Sequence, residues 1–384
     1  MRSKNDFKKK PSLKIMIFFY TIIFLMLTVM AFLLAERYYT AKYNYVDLLA
    51  LTGKRQGYMP NGKWAYADAF CAYKAKPGIF GSRSERKTVN KYGFISTPEM
   101  EVTKPANTIR IAFLGESSTA GTDPNISDKY TWPKLVADKV QEKIPNKKIE
   151  YINGALPGYT SFESYGRLWS RIRYFSPDII VVYHGWNEMY YFNEVDKLIN
   201  RRTLSDGSWS FEKKTDLPSV VEPLWIDKYI WPSSIFSSLR LKLTVKNFEL
   251  GDTTTNKVLL NSYDPRALEV FRTNLKLLRE TSKTLNAEIF VCKQATLVAP
   301  NLSKELLEYC HFDYQAHLKA FKEINQVIDE EFDSDKVIDC TSMNGIPKYF
   351  CDHIHPHKKG CFKIADIVSG KLIPYIKKSP TFNK

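Results

Sequence analysis

Short apolar runs recur along the chain from residue 108 onward. Residues 109–114 are apolar except for Arg110, and residues 149–152 and 179–183 are two further runs of mostly apolar side chains. Runs of this length are typical of strands that are covered on both faces of a parallel sheet. We therefore predict three successive buried strands in this part of the chain.

Helical periodicity fills the gaps between these runs. Residues 132–144 carry apolar side chains at helical spacing, which predicts a helix. A second helix is predicted at residues 161–174, because Thr160 and Glu163 stand three apart as a capping box requires. The alternation resumes with a helix at 265–285, a strand at 288–291, a helix at 303–331, a strand at 337–338 and a helix at 359–372.

This alternation predicts the fold class. Successive strand, helix and strand imply right-handed crossovers and a parallel sheet. We predict a three-layer α/β/α sandwich with a mainly parallel five-stranded sheet, of flavodoxin-like type, over residues 108–376. An insertion at residues 189–264 interrupts it, and its aromatic side chains form either a small core of their own or a wall of a substrate cleft. They are Tyr190, Tyr191, Phe192, Trp209, Phe211, Trp225, Tyr229 and Trp231.

The N-terminal part has a different pattern. Residues 1–14 carry a cluster of Lys and Arg with a single Asp, and residues 15–35 carry no charge. A helix of that length reaches about 30 Å, the hydrocarbon thickness of a bilayer. We predict a transmembrane helix at residues 15–35. The alternative is a cleaved signal peptide, whose apolar region is usually shorter, about 7–15 residues.

The basic cluster also predicts orientation. Under the positive-inside rule, residues 1–14 stay in the cytoplasm and everything after Glu36 lies across the membrane. Residues 36–107 mix aromatic and polar side chains without strong periodicity, and we interpret them as a stalk or lead-in segment. The prediction is a single-pass membrane protein whose globular domain is extracytoplasmic.

Composition adds little to this picture except through charge. The chain has 384 residues, 44% of them hydrophobic and 25% charged, as in ordinary folded proteins. Its net charge of +15 is spread beyond the N-terminal cluster without a compact basic and aromatic strip. We therefore predict no nucleic-acid partner, and a surface that favours acidic envelope surfaces or polymers.

Cysteines are concentrated near the C-terminus. Outside the cytoplasm they would lie in a compartment that permits disulfides, and we expect one or two there, with the pairing left open. No two stand as C-x-x-C, which argues against a structural zinc site. The six are Cys71, Cys292, Cys310, Cys340, Cys351 and Cys361.

Three residues are candidates for a nucleophilic triad. Ser117 directly follows the first predicted strand, and Asp352 and His355 stand three apart near the other end of the domain. A serine hydroxyl becomes a nucleophile when an imidazole takes its proton and a carboxylate orients that imidazole. The alternative for Ser117 is a purely structural role as a helix N-cap.

Two further turns follow the next predicted strands. Gly158 lies in Asn-Gly-Ala-Leu-Pro-Gly, where a missing side chain lets a backbone N–H approach a ligand. Asn187 lies in Gly-Trp-Asn-Glu, and its amide could donate to a developing oxyanion. Either motif is also an ordinary turn sequence. Parallel strands end at one edge, so we expect both turns beside Ser117.

Taken in order, these blocks resemble the SGNH (GDSL-type) hydrolase family over roughly residues 108–376. The resemblance implies a serine esterase in which Ser117 is the nucleophile, His355 the base and Asp352 its orienting acid. It also implies an oxyanion hole formed by the N–H groups of Ser117 and Gly158 and by the Asn187 amide. Two positions depart from the family pattern, since Glu116 and Glu188 stand where Asp is usual.

A rival interpretation is a metal site at His353, His355 and His357. Their alternation would place all three imidazoles on one side of an extended segment, but Pro356 interrupts the run and no second cluster has metal-ligand spacing. We expect packing roles for His353 and His357, and no metal or organic cofactor.

The sequence thus predicts a membrane-anchored acylhydrolase that acts on an ester. Its location makes O-acyl groups on envelope glycans, or lipid esters, reasonable substrates. Two alternatives stay open, an O-acyltransferase that uses the same serine and a non-catalytic binding module of the envelope.

Overall fold

The computed structural model describes most of the predicted sheet domain and the N-terminal helix. The described residues are 12–43, 65–68, 70–80, 87–121, 126–190, 201–203, 209–211, 226–230, 233, 235–236, 239–240, 243, 261–263, 265–298 and 313–382. The chain divides into two units. One consists of residues 1–55 with 214–255, and the other of residues 56–213 with 256–384.

The first unit is dominated by helix α1, Leu13–Tyr43. Its segment Leu13–Tyr38 is long and apolar enough to cross a membrane, and its apolar side chains are exposed. The predicted span at residues 15–35 lies inside this helix. Within the same unit the hydroxyl of Ser233 donates to Glu36 over 2.8 Å, and the rings of Phe32 and Phe236 lie 5.7 Å apart.

The second unit contains the sheet and its helices. In chain order its elements are β1 (Ala65–Asp68), β2 (Ala72–Ala75), β3 (Gly78–Phe80), β4 (Lys87–Val89), β5 (Thr108–Gly115), α2 (Ser117–Ala120), α3 (Trp132–Lys143), β6 (Lys148–Asn153), α4 (Ser161–Ser170), β7 (Ile179–His184), α5 (Trp186–Tyr190), β8 (Arg201–Thr203), β9 (Trp209–Phe211), α6 (Arg266–Thr284), β10 (Glu288–Lys293), α7 (Tyr314–Glu331), β11 (Val337–Asp339) and α8 (Lys358–Lys378).

Five strands form the main sheet in the order β11-β10-β7-β5-β6, and every pair is parallel. Helices α3 and α8 cover one face, and α4, α6 and α7 cover the other. Side chains alternate between the two layers, so that Phe113 joins the core under α3 while its neighbours Ala112 and Leu114 join the core under α4. The predicted three-layer sandwich with a parallel five-stranded sheet is confirmed.

Helix boundaries differ from the predicted ones at several ends. The capping box of Thr160 and Glu163 forms as expected, but α4 ends at Ser170 and continues only as a 3₁₀ turn, Ile172–Phe175. Helix α8 extends past residue 372 and through Pro374, because Ile376 in its last turn is buried against the sheet domain. Residues 303–312 of the predicted helix at 303–331 lie outside the described residues.

The segment that precedes β5 contributes to the fold around the sheet. Strands β1 and β2 pair antiparallel, as do β3 and β4. Side chains from this segment share a small buried core with residues that follow β5 and β6. That core comprises Cys71, Tyr73, Ala75, Val89, Ile95, Ala120, Ala155, Leu156 and Tyr159. The boundary at residue 107 stays a prediction, but the described lead-in residues pack closely on the sheet domain.

Arg110 is the one charged residue of β5, an inner strand of the sheet, and it is fully buried. Its guanidinium donates to the carboxylate of Glu150 at 2.6 and 3.0 Å, on the neighbouring strand β6. It also donates to the carbonyls of Glu101, Val102 and Phe175. One side chain thereby ties the lead-in segment and the 3₁₀ turn to the sheet.

We predict that Arg110→Ala lowers the free energy of unfolding by about 3–5 kcal/mol, because it leaves buried acceptors without a donor. Denaturant unfolding of the full-length protein in detergent measures this change. The matched control is Lys134→Ala, which removes a 2.7 Å pair with Asp138 on the surface of α3. That variant should lose less than about 1 kcal/mol. Equal losses in both variants would contradict a structural role for Arg110.

Candidate active site

Ser117 is the first residue of the short helix α2, two residues beyond the end of β5. Glu116, with extended backbone, occupies the N-cap position, so the alternative N-cap role of Ser117 is wrong. The helix ends at Gly121 in the left-handed conformation. Ser117 itself is half-buried, whereas Glu116 and Ser118 on either side of it are fully buried.

Asp352 and His355 lie in the turn before α8 and reach Ser117. The Nε2 atom of His355 lies 2.8 Å from Ser117 Oγ, and its Nδ1 atom lies 2.6 Å from Asp352 Oδ2. An ionised carboxylate only accepts hydrogen bonds, so Nδ1 carries the imidazole proton and Nε2 is free to accept the Ser117 hydroxyl. The structure thus brings the three predicted side chains into one hydrogen-bonded chain.

The Asp352 carboxylate is held by the turn that it belongs to. Its Oδ1 accepts the backbone N–H groups of Ile354 at 2.9 Å and His355 at 2.7 Å. Burial alone would raise the pKa of Asp352, but the hydrogen bond and charge of the His355 imidazole outweigh it and hold that pKa well below its usual value. The side chain is therefore a carboxylate at neutral pH.

Asn187 lies between the turn of Ser117 and the turn of Gly158. Its backbone N–H donates to Glu116 Oε2 over 2.9 Å, and its side-chain Nδ2 donates to the carbonyl of Tyr159 over 2.7 Å. The amide nitrogen has two hydrogens, so the second can serve another acceptor. Gly158 has φ 79°, a left-handed conformation that favours glycine. Two of the three predicted oxyanion donors, Gly158 and Asn187, are thus on neighbouring segments, because Asn187 binds the residue that follows Gly158.

The Gly158 turn is also held from the lead-in hairpin. The hydroxyl of Tyr73 donates to the carbonyl of Pro157, and the hydroxyl of Tyr159 donates to the carbonyl of Tyr73. Arg167 of α4 donates to the Tyr159 hydroxyl over 3.1 Å. This exchange between β2 and the turn fixes the residues on both sides of Gly158.

Glu116 is the centre of a buried network beneath the site. Its Oε1 accepts the side-chain amide of Gln294, whose own Oε1 accepts the backbone N–H of Trp186 over 2.5 Å. Gln294 can come this close because Gly185 has no side chain. A Cβ added at Gly185 would lie only 2.6 Å from the Gln294 side-chain oxygen. Burial raises the pKa of Glu116 to about 7, although the hydrogen bond from Gln294 opposes the rise.

A second buried network surrounds Glu188. Its Oε1 accepts the N–H of Ser161 over 2.5 Å and lies 3.8 Å from His184, whose other ring nitrogen lies 2.8 Å from the hydroxyl of Ser164. Burial raises the pKa of Glu188 to about 8 and lowers that of His184 to about 3. This set repeats the residue types of a triad, but it is fully buried and no ester can reach it.

The three alternating histidines have separate surroundings. His353 is buried with its ring 4.1 Å from that of Trp186, His355 faces Ser117, and His357 is the N-cap of α8. No group of three His, Cys, Asp or Glu suited to a metal exists among the described residues. The packing role predicted for His353 agrees with its burial.

The other sequence-based expectations have mixed outcomes. Cys71, Cys292 and Cys340 are free thiols, and Cys310 lies outside the described residues, so the expected one or two disulfides near the C-terminus stay a prediction. The core under α3 and α8 buries Cys292, Cys340 and Cys361 among apolar side chains. Four of the eight aromatics named for the insertion, Tyr191, Phe192, Trp225 and Trp231, lie outside the described residues.

Sequence reasoning missed Gln294. It follows β10 directly, at the edge where Ser117 and Asn187 follow β5 and β7. A polar residue after a fourth parallel strand was the available signal. It also missed Ser161, whose N–H binds Glu188 and whose hydroxyl accepts the Asn274 amide over 3.0 Å.

No family model and no curated protein matches this chain. Solved structures do match it. An acetylxylan esterase from Geobacillus stearothermophilus is 12% identical with a TM-score of 0.39, covering 69% of this chain and 94% of that one. A lipase from a goat rumen metagenome is 13% identical with a TM-score of 0.41, covering 68% and 97%. A GDSL-like lipase from Parabacteroides merdae is 14% identical with a TM-score of 0.39, covering 68% and 94%. Identities and TM-scores this low assign no residue role in this chain.

We predict that Glu188→Gln flattens the dependence of stability on pH. The native carboxyl, with its pKa near 8, keeps a proton that the unfolded chain loses above about 4.5, so stability falls as pH rises from 5 to 8. Removing this group should reduce the slope by up to about 1.4 kcal/mol per pH unit.

Denaturant unfolding of the full-length protein in detergent at pH 5, 6, 7 and 8 measures this slope. The control is Glu142→Gln, an exposed carboxylate on α3, which should leave the slope unchanged. A Glu188→Gln variant with the wild-type slope would show that the native carboxyl is ionised throughout this range.

Proposed function

We propose that the chain is a serine esterase of the SGNH type. The single observation that carries this proposal is the continuous hydrogen-bonded chain from Ser117 Oγ through His355 to Asp352, with 2.8 and 2.6 Å contacts. Ser117 is half-buried and so within reach of a substrate, while His355 is oriented by an ionised partner. The imidazole is therefore ready to accept a proton at Nε2.

The proposed reaction proceeds through an acyl-enzyme. Ser117 Oγ attacks the ester carbonyl while His355 Nε2 takes its proton, and the C=O electrons move to the oxygen. The N–H groups of Ser117 and Gly158 and the second Nδ2 hydrogen of Asn187 bind this oxyanion. His355 then gives its proton to the leaving alcohol. Water, deprotonated by the same imidazole, releases the acid and restores Ser117.

The proposed location is the outer side of a membrane, with the protein anchored through residues 15–35 of α1. The basic residues 1–14 favour the cytoplasmic side, and the domain at 108–376 follows across the bilayer. A catalytic domain tethered there would meet acylated glycans of the envelope and lipid esters. We therefore propose that its ester substrate belongs to one of these classes.

We predict that Ser117→Ala abolishes ester hydrolysis, with kcat lower by at least about 10³-fold, because nothing else supplies the nucleophile. Release of the phenol from an aryl acetate by the full-length protein in detergent measures the rate. A fluorophosphonate probe should also label the wild type and not this variant.

The matched control is Ser282→Ala on α6, whose hydroxyl donates to the carbonyl of Arg279 and touches none of the site residues. It should hydrolyse the ester at the wild-type rate. Equal rates in wild type and Ser117→Ala would end the serine-esterase proposal. Transfer of acetyl to an added sugar acceptor in place of water would identify an acyltransferase that uses the same serine.

We also predict the orientation of the anchor. In right-side-out membrane vesicles, external protease should remove the domain after Glu36, because the positive-inside rule places it outside. An epitope added before residue 1 should survive in a membrane-bound fragment of the helix. Loss of the epitope with a protected domain would reverse the orientation, and a domain released into the soluble fraction without protease would indicate a cleaved signal peptide.

A further inference from the structure

The carboxylate of Glu116 has no part in the proposed proton transfer, yet it is fully buried next to Ser117. Its two oxygens have separate partners. Oε2 accepts the backbone N–H of Asn187 at 2.9 Å, and Oε1 accepts the side-chain amide of Gln294. Through Gln294 the carboxylate is also linked to the backbone N–H of Trp186. It therefore joins the residues that follow β5, β7 and β10.

Such a burial is costly. Moving an ionised carboxylate out of water carries a penalty of several kcal/mol unless it is well paired. All the hydrogen-bond donors to Glu116 are neutral amides, and none of the described Lys or Arg forms an ion pair with it. The imidazole of His355 and the side chains of Glu188 and Tyr183 are the other titratable groups that act on it. Charge pairing does not account for the network.

The hydrogen bonds of the network converge on the first two residues of helix α5, Trp186 and Asn187. Asn187 is held twice, by its backbone at Glu116 and by its side chain at the carbonyl of Tyr159. With both held, the direction of its remaining amide hydrogen is fixed relative to Ser117. Loss of the hydrogen bond between the Asn187 backbone N–H and Glu116 would let α5 shift while the sheet stays in place.

We propose that Glu116 and Gln294 are positioning residues that hold the Asn187 amide in place as an oxyanion donor. This inference rests on the proposed esterase function. Glu116 stands where the SGNH pattern has Asp, and Gln294 lies outside the sequence motifs. Neither residue touches the substrate, and both act through the backbone of Trp186 and Asn187.

The network allows an exchange of its two side chains. In Glu116→Gln alone, the new amide hydrogens face the Gln294 amide, so one donor loses its acceptor. In Gln294→Glu alone, two carboxyl groups face each other and repel once both are ionised, so this variant is compared with the others above about pH 8. In the double variant, the amide at position 116 accepts the Asn187 N–H and donates to the carboxylate at position 294, which accepts the Trp186 N–H. Every hydrogen bond is restored, while the negative charge moves from position 116 to position 294.

The expected result is a loss in the single variants and a rescue in the double one. Each single variant should lower kcat about 10–100-fold, since a misplaced oxyanion donor acts on the transition state, with KM changed less than about two-fold. The double variant should return to within about five-fold of the wild type. The assay is aryl acetate hydrolysis by the full-length protein in detergent, with Glu142→Gln as the unaffected control.

A second measurement does not depend on activity. Amide hydrogen exchange at Trp186 and Asn187 should accelerate in each single variant and recover in the double one, while exchange in the strands stays unchanged. A general loss of structure would instead accelerate exchange throughout the sheet. The double variant would not reverse such a general loss of structure.

The outcomes separate this inference from the esterase proposal. Wild-type kcat and wild-type amide protection in Glu116→Gln would overturn the positioning role while the esterase stands. A double variant no better than the singles in both measurements would overturn it as well. If the wild type hydrolyses no ester, the esterase proposal fails, and recovery of amide protection in the double variant alone decides whether the network positions Asn187.

Discussion

The parallel pairing of β5 with β7 is the constraint on which the rest of the site depends. In this register Gly115 lies opposite Tyr183, so both strands end at the same edge and a short helix begins just beyond each. Ser117 and Asn187 meet there for that reason, although they are distant in sequence. Strand β10 pairs with the other side of β7 and delivers Gln294 to the same edge. A slip of one residue would reverse the facing of every side chain in a strand and dismantle the two cores and the site together.

Buried carboxyl groups near the cleft take opposite charge states according to their neighbours. Asp352 receives two backbone N–H groups and an imidazole, which keep it ionised despite its burial. Glu188 receives the N–H of Ser161 and lies in an otherwise closed layer, so burial prevails and raises its pKa to about 8. Asp352 therefore presents a charged carboxylate to His355, while the buried Glu188 adds little negative charge beneath the site.

The lead-in segment takes part in the site as well as connecting it to the N-terminal helix. Exchange of hydrogen bonds between Tyr73 and the turn around Gly158 makes the hairpin of β1 and β2 a support for that turn. Arg110 adds a second tie, since it binds carbonyls of the lead-in from the centre of the sheet. A region whose sequence lacks periodicity is in this way ordered by contacts with the sheet, because its own short strands bury too little to be stable alone.

The sequence by itself determined the alternation of strands and helices, the apolar N-terminal helix and the residue types of the triad, because periodicity and short motifs are local properties. It also indicated that Gly158 and Asn187 follow strands of one sheet. Only the tertiary structure decided that His355 reaches Ser117, that Glu116 pairs with Gln294 and that Cys292 and Cys340 are buried in one core. Those contacts join residues far apart in the chain. Their distances follow from strand register and helix packing, which no local pattern encodes.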